Sequence, residues 1–140
     1  MASKVGHGVI RGNTFRNLAY DAWLILGTGH RLEHNLIEQA NGWDAMHFGG
    51  TNHVFYRNVI RDSPLVVYQV SPDAMENYSP TPYFNVLFTN NFICNFAGVL
   101  ASQKGQNTMS GLTLTRNVFV DVEGGYSLTH PDAVIEHNTF

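Results

Sequence analysis

Six asparagines in one repeated local setting restrict the fold of this chain more than any other feature. They centre the segments Arg11-Gly12-Asn13-Thr14-Phe15, Glu33-His34-Asn35-Leu36-Ile37, Tyr56-Arg57-Asn58-Val59-Ile60, Thr89-Asn90-Asn91-Phe92-Ile93, Thr115-Arg116-Asn117-Val118-Phe119 and Glu136-His137-Asn138-Thr139-Phe140. Successive asparagines are separated by 22, 23, 33, 26 and 21 residues, a basic period near 22 with one large and one small insertion. Two residues after each stand Phe15, Ile37, Ile60, Ile93, Phe119 and Phe140, and three before it stand Ile10, Leu32, Phe55, Phe88, Leu114 and Ile135, all large and apolar. A period of this length with matched apolar columns marks one unit stacked on copies of itself.

The column two before the asparagine reads Arg11, Glu33, Tyr56, Thr89, Thr115 and Glu136, which is the outward face that a strand's two-residue alternation predicts. Four after it come Asn17, Gln39, Asp62, Asn95 and Asp121, suited to ending a strand. A third strand is read in Ala22 to Leu26, Ala45 to Phe48, Leu65 to Tyr68, Gly98 to Ala101 and Gly125 to Leu128. Three short strands per turn cannot bury their apolar sides alone, whereas turns stacked about 4.8 Å apart form a continuous core. The expected fold is therefore all-β, a single-stranded right-handed parallel β-helix of about six coils filling residues 1–140 as one domain. Each asparagine is expected at a corner, where it tolerates left-handed backbone and its amide can bond the next asparagine in a ladder.

This asparagine turn, followed by a β-branched or aromatic residue, resembles the pectate-lyase-like superfamily of right-handed parallel β-helices from Asn13 to Phe140. The resemblance implies a protein that acts on polysaccharides as a lyase, hydrolase or epimerase, or one that grips glycans as a tailspike or adhesin does. It also implies an extracellular or periplasmic setting, substrates held along an outward strand face walled by inserted loops, and Ca2+ as the cofactor some members use. It does not name the reaction, because chemistry resides in the site and not in the fold.

Insertions are the places to look for a site. The larger, Ser71 to Tyr83, is rich in turn formers and is expected to project, with Tyr78 and Tyr83 able to stack on sugar rings beside the acceptors Asp73 and Glu76. The smaller, Ser102 to Gly111, carries Lys104, which could pair with a uronic-acid carboxylate or act as a lyase base. Asp21 and Asp44 match in successive coils and could share a proton or a calcium ion, the alternative being strand-entry residues that bond the turn. His47 is expected to face outward in a stripe with Leu24, Leu100 and Ser127, which is poor in acids and bases. Arg57, Arg61 and Arg116 could bind an acidic glycan. The column Arg16, Glu38, Arg61 alternates in sign and can pair laterally, each surface pair contributing about 0 to 1 kcal/mol. His30 and His53 lie one coil apart and read as stacked turn histidines rather than a metal site, since no third ligand is evident.

The remaining features narrow the partners. A net charge of -3 with 14% charged residues and no run of one sign leaves no footprint for nucleic acid. The longest apolar run, Ala22 to Leu26, is far below a membrane span, and Met1 to Lys4 does not read as the start of a signal peptide. Cys94 stands alone and reads as a half-buried thiol, which excludes an internal disulfide. Neither end shows a cap, so the chain is expected either to be a piece of a longer β-helix or to self-associate through its open ends. The two functions left are a carbohydrate-active solenoid and a non-catalytic, assembling one.

Overall fold

The computed structural model describes residues 2–3, 6–19, 22–25, 27–40, 45–48, 50–63, 73–77, 83–96, 98–101, 110–122 and 132–140. The described residues contain strands and turns but no helix, and every pairing is parallel. The strands stack into three sheets, giving a β-solenoid. The sheet before the asparagines joins Val9–Arg11, Arg31–Glu33, Val54–Tyr56, Tyr83–Thr89, Ser110–Thr115 and Val134–Glu136, with Gly50–Thr51 paired to Tyr83–Thr89. The sheet after them joins Thr14–Leu18, Leu36–Ala40, Val59–Ser63, Phe92–Phe96 and Val118–Val122. The third sheet joins Ala2–Ser3, Trp23–Ile25, Met46–Phe48, Asp73–Asn77 and Gly98–Ala101.

The register follows the repeat. Ile10 pairs with Leu32, Leu32 with Phe55, Phe55 with Phe88, and Phe88 with Leu114, so the apolar column three before the asparagine lies in one row. The column two after it does likewise, from Phe15 through Ile37, Ile60 and Ile93 to Phe119. Leu32, Phe55, Phe88, Leu114, Ile37, Ile60 and Ile93 are fully buried, and Trp23 and Ile25 close the core from the third sheet. At about 25 cal/mol per Å² of apolar surface removed from water, these rows dominate the stabilisation.

The asparagines stack as expected, by one rule repeated five times. Asn13 Nδ2 donates to Asn35 Oδ1 at 3.1 Å, Asn35 to Asn58 at 3.0 Å, Asn58 to Asn91 at 3.0 Å, Asn91 to Asn117 at 3.0 Å and Asn117 to Asn138 at 3.0 Å. The same oxygens accept the preceding asparagine's backbone N–H. From Asn35 onward, the second amide hydrogen reaches the carbonyl of the apolar residue one repeat back, such as Leu32 for Asn58 at 2.8 Å. An otherwise costly buried amide is thereby satisfied.

Three expectations are corrected. The left-handed residue at the corner is not the asparagine but the one before it, with φ of 68° at Gly12, 55° at His34, 52° at Arg57, 56° at Asn90, 56° at Arg116 and 55° at His137. Each asparagine must turn its amide into the core, so its exposed neighbour absorbs the reversal of the chain. The segment Ser71 to Tyr83 is not wholly a projecting loop, because Asp73–Asn77 is a strand between Met46–Phe48 and Gly98–Ala101. That strand takes the place in the third sheet assigned from sequence to Leu65 to Tyr68, which lies outside the described residues, as does Gly125 to Leu128. Likewise Ser110 and Gly111, read as insertion, begin the strand Ser110–Thr115.

Candidate functional site

The outer face of the sheet before the asparagines is the best-defined surface. Tyr56, Thr89 and Thr115 are register partners and form a row of hydroxyl-bearing side chains across three strands. Two residues earlier, the partners Leu87 and Thr113 form a second outward row. Leu87 and Thr113, together with Asn85, Val86 and Gly111, line an open groove of about 310 Å³. Asn85 and Gly111 belong to a second left-handed corner, six residues before the asparagines, with φ of 62° at His7, 69° at Gly29, 58° at Asn52, 52° at Asn85 and 67° at Gly111. The sequence carries a signal for this corner beside the ladder's own, since glycine and asparagine recur at that offset and are the residues that enter left-handed backbone most readily. A Cβ at Gly111 would meet the Asn85 side chain, so the glycine also lets that amide lie close over the next turn.

Beyond the Tyr56, Thr89 and Thr115 row comes the corner beside the ladder, where His34, Arg57, Asn90, Arg116 and His137 are all exposed. The Arg57 guanidinium carbon sits 5.0 Å from the Tyr56 ring centroid, and His34 meets the same ring edge-on at 5.5 Å. A cation held over an aromatic face is oriented without being neutralised. Among the described residues, neither Arg57 nor Arg116 has an ion pair, in contrast to every arginine on the strands.

The strand arginines are committed to carboxylates. Glu38 is flanked by Arg16 and Arg61, with Arg61 Nε and Nη2 at 3.0 and 2.7 Å, as the alternating column predicted. Asp62 lies a further 3.6 Å from Arg61 Nε. Arg61 is thus already paired and stands on a different sheet from Arg57. Glu33, outward by parity yet 2% exposed, is covered by Arg11 Nε at 2.9 Å and Arg31 Nε at 2.6 Å. Hydrogen bonds from Arg11 and then Arg31 hold its carboxyl below the ordinary 4.5, against the opposing effect of burial.

His30 and His53 form a short ladder of their own. Their rings stack at 5.4 Å and 17°, both are buried, and each Nδ1 accepts a backbone N–H from the preceding repeat, Gly8 to His30 at 3.1 Å and His30 to His53 at 3.3 Å. Those acceptor roles belong to structural histidines. Cys94 is half-buried, and burial pushes its thiol above the ordinary value.

Asp21, Asp44, Tyr78 and Lys104 lie outside the described residues. Tyr83 opens the strand Tyr83–Thr89 opposite Gly50. His47 pairs in register with Leu24 as expected, but its neighbour on the other side is Glu76, which in turn pairs with Ala101. The row is therefore Leu24, His47, Glu76, Ala101, and Leu100 pairs with Met75 instead. The insertion is split around this strand: His47 stands 12 residues after Asn35 but Glu76 stands 18 after Asn58, and Gly50 follows His47 by three residues while its partner Tyr83 follows Glu76 by seven. Among the described residues no cluster of three or more His, Cys, Asp or Glu could hold a metal ion. The stacked Asp62, Asn95 and Asp121 do not fit calcium, because the Asn95 amide donates to Asp62 Oδ1 at 3.1 Å where a cation would need an oxygen.

Compared with protein-family models, with curated proteins and with solved structures, the chain gives no match.

Proposed function

We propose that this solenoid binds an acidic polysaccharide along the outer face of the sheet that precedes the asparagines. The observation that carries the reading is the pair of unneutralised corner cations, Arg57 and Arg116, beside the Tyr56, Thr89 and Thr115 row. Adjacent strands in a sheet stand about 4.8 Å apart, so these cations, separated by the repeat that carries Asn90, lie roughly 10 Å apart along the axis. A linear polyanion laid along that axis meets both at once. Tyr56 and Leu87 offer apolar surface to sugar rings, while Thr113, Thr115 and Asn85 offer hydroxyls and an amide to sugar hydroxyls; Thr89 is buried and accepts from Asn90 Nδ2 at 2.9 Å.

Overall net charge is -3, which opposes a polyanion at long range, but charges beyond about 8 to 10 Å are largely screened at physiological salt. The local cations then decide. The resemblance to pectate-lyase-like β-helices agrees with an outward-face glycan groove and supplies no catalytic residue here.

The test is affinity electrophoresis and calorimetry with polygalacturonate and alginate against neutral dextran. The acidic polymers should bind and weaken as sodium chloride is raised, dextran should not bind, and Arg57→Ala with Arg116→Ala should lose roughly tenfold or more in affinity with the fold intact. Equal binding of the double variant and the parent would refute the reading.

A further inference from the structure

We propose that the outer face of the sheet after the asparagines is a dimer interface, on which a second copy of this chain docks face to face about a two-fold axis running along the solenoid. Strand alternation puts Ile37, Ile60 and Ile93 inside, so the residues on either side of them form two outward rows. The first joins Leu36, Val59, Phe92 and Val118 as register partners, and the second joins Glu38, Arg61, Cys94 and Val120. Phe92 has a paired strand on each side and is still 38% exposed, so its exposure belongs to the face and not to an edge. Four large apolar side chains in one row on an outer sheet face are surface that a partner covers.

Charge selects the partner. The face is bordered by two left-handed columns, one residue before the ladder asparagines and four after them. On the repeat of Asn58 the borders are Arg57 and Asp62, on that of Asn91 they are Asn90 and Asn95, and on that of Asn117 they are Arg116 and Asp121. Where one border carries a cation the other carries an acid, and the repeat between is neutral on both. Laying a second copy on this face about an axis along the stack sets each repeat on itself with its borders exchanged. Arg57 then faces Asp62 of the second copy, Arg116 faces its Asp121, Asn90 faces its Asn95, and symmetry doubles every contact. On the same two apolar repeats, Phe92 falls on Cys94 of the second copy and Val118 on its Val120. A two-fold axis along the strands would instead set the basic border over the basic border, which opposes association.

The border groups are available for this. Among the described residues Arg57, Arg116 and Asp121 have no ion pair within the chain, and Asp62 lies 3.6 Å from Arg61 Nε with its side chain 44% exposed. Five strands about 4.8 Å apart, each five residues long at about 3.3 Å a residue, give a face on the order of 400 Å² per copy, about half of the roughly 800 Å² that a standard interface buries on each side. The dimer is therefore weak, with a dissociation constant on the order of 100 μM. Its interface is isologous, so it closes at two copies. Asp62, Asp121 and Phe92 lie off the polysaccharide face, so the dimer forms or fails whatever becomes of glycan binding.

The experiment is sedimentation velocity of the full chain without polysaccharide, from about 10 μM to about 1 mM. Parent protein should pass from monomer to dimer and grow no further. One variant, Asp62→Lys with Asp121→Lys, makes both borders basic, and another, Arg57→Asp with Arg116→Asp, makes both acidic; each alone should associate at least roughly tenfold more weakly. An equal mixture of the two should recover the dimer, because every facing pair is again opposite in sign, and Phe92→Ser added to both should weaken that mixture. If either double variant loses its strand circular dichroism, Phe92→Ser and raised sodium chloride on the parent sequence replace it, and each should weaken association. A parent that stays monomeric at every concentration or grows past a dimer, or folded variants whose mixture associates no better than either alone, would overturn the proposal.

Discussion

Asn58→Ala should be among the most damaging single substitutions in this chain, while the same change at Asn13 should be nearly silent. Asn58 is fully buried, and its Oδ1 takes both the Asn35 N–H at 3.1 Å and Asn35 Nδ2 at 3.0 Å. Its own Nδ2 donates to the Leu32 carbonyl at 2.8 Å and to Asn91. Truncation strands two buried donors on Asn35, a residue only 2% exposed. At about 1 to 3 kcal/mol for each stranded group the loss is about 2 to 6 kcal/mol, much of the roughly 5 to 15 kcal/mol that holds a domain folded. Asn13 Oδ1 serves no donor, and Asn35 Oδ1 keeps the Asn13 N–H at 3.0 Å after truncation, so that loss should stay below about 1 kcal/mol. Asn58→Asp adds a sign. The carboxylate can serve Asn35 but opposes the Leu32 carbonyl and Asn91 Oδ1, so burial raises its folded pKa, and the variant should regain stability as the pH falls and the acid form supplies a donor. Urea denaturation followed by circular dichroism measures all three. Equal midpoints for Asn58→Ala and Asn13→Ala would refute the ladder's energetic role.

Other predictions follow from single contacts. Gly50→Ala should destabilise by about 2 kcal/mol or more, since φ is 99° and a Cβ would run into the Gly27 carbonyl across the stack; thermal melting reads it. Glu33→Gln should flatten the acid limb of the stability curve. Because the Glu33 pKa is lowered on folding, its contribution is complete above the ordinary 4.5 and is lost as the pH falls through the lowered value, which urea midpoints between neutral pH and the acid range would detect. His53→Leu removes the acceptor of the buried His30 N–H and should cost at least about 1 kcal/mol by the same denaturation assay.

Much of the solenoid is legible before any coordinates because each side chain meets its counterpart one repeat away. Aligning the asparagines therefore aligns Ile37 with Ile60 and Glu38 with Arg61, and both pairs are neighbours. The candidate site was less legible. Sequence grouped Arg57 with Arg61, yet one sits on a corner over Tyr56 and the other lies on a strand against Glu38. Two arginines four residues apart differ in availability because a corner separates them, and the corner lies one residue from where the asparagine alone suggests.

What the sequence determined by itself was the stacking direction, the inward columns and the ladder, since these follow from a periodic pattern and a strand's alternation. What only the tertiary structure decided was where the chain rejoins the stack after an insertion and which residue carries the left-handed turn. The number of residues inserted says nothing about where pairing resumes, so His47 came to face Glu76. Backbone reversal is assigned by competition between neighbours, and the residue whose side chain is not needed in the core takes it.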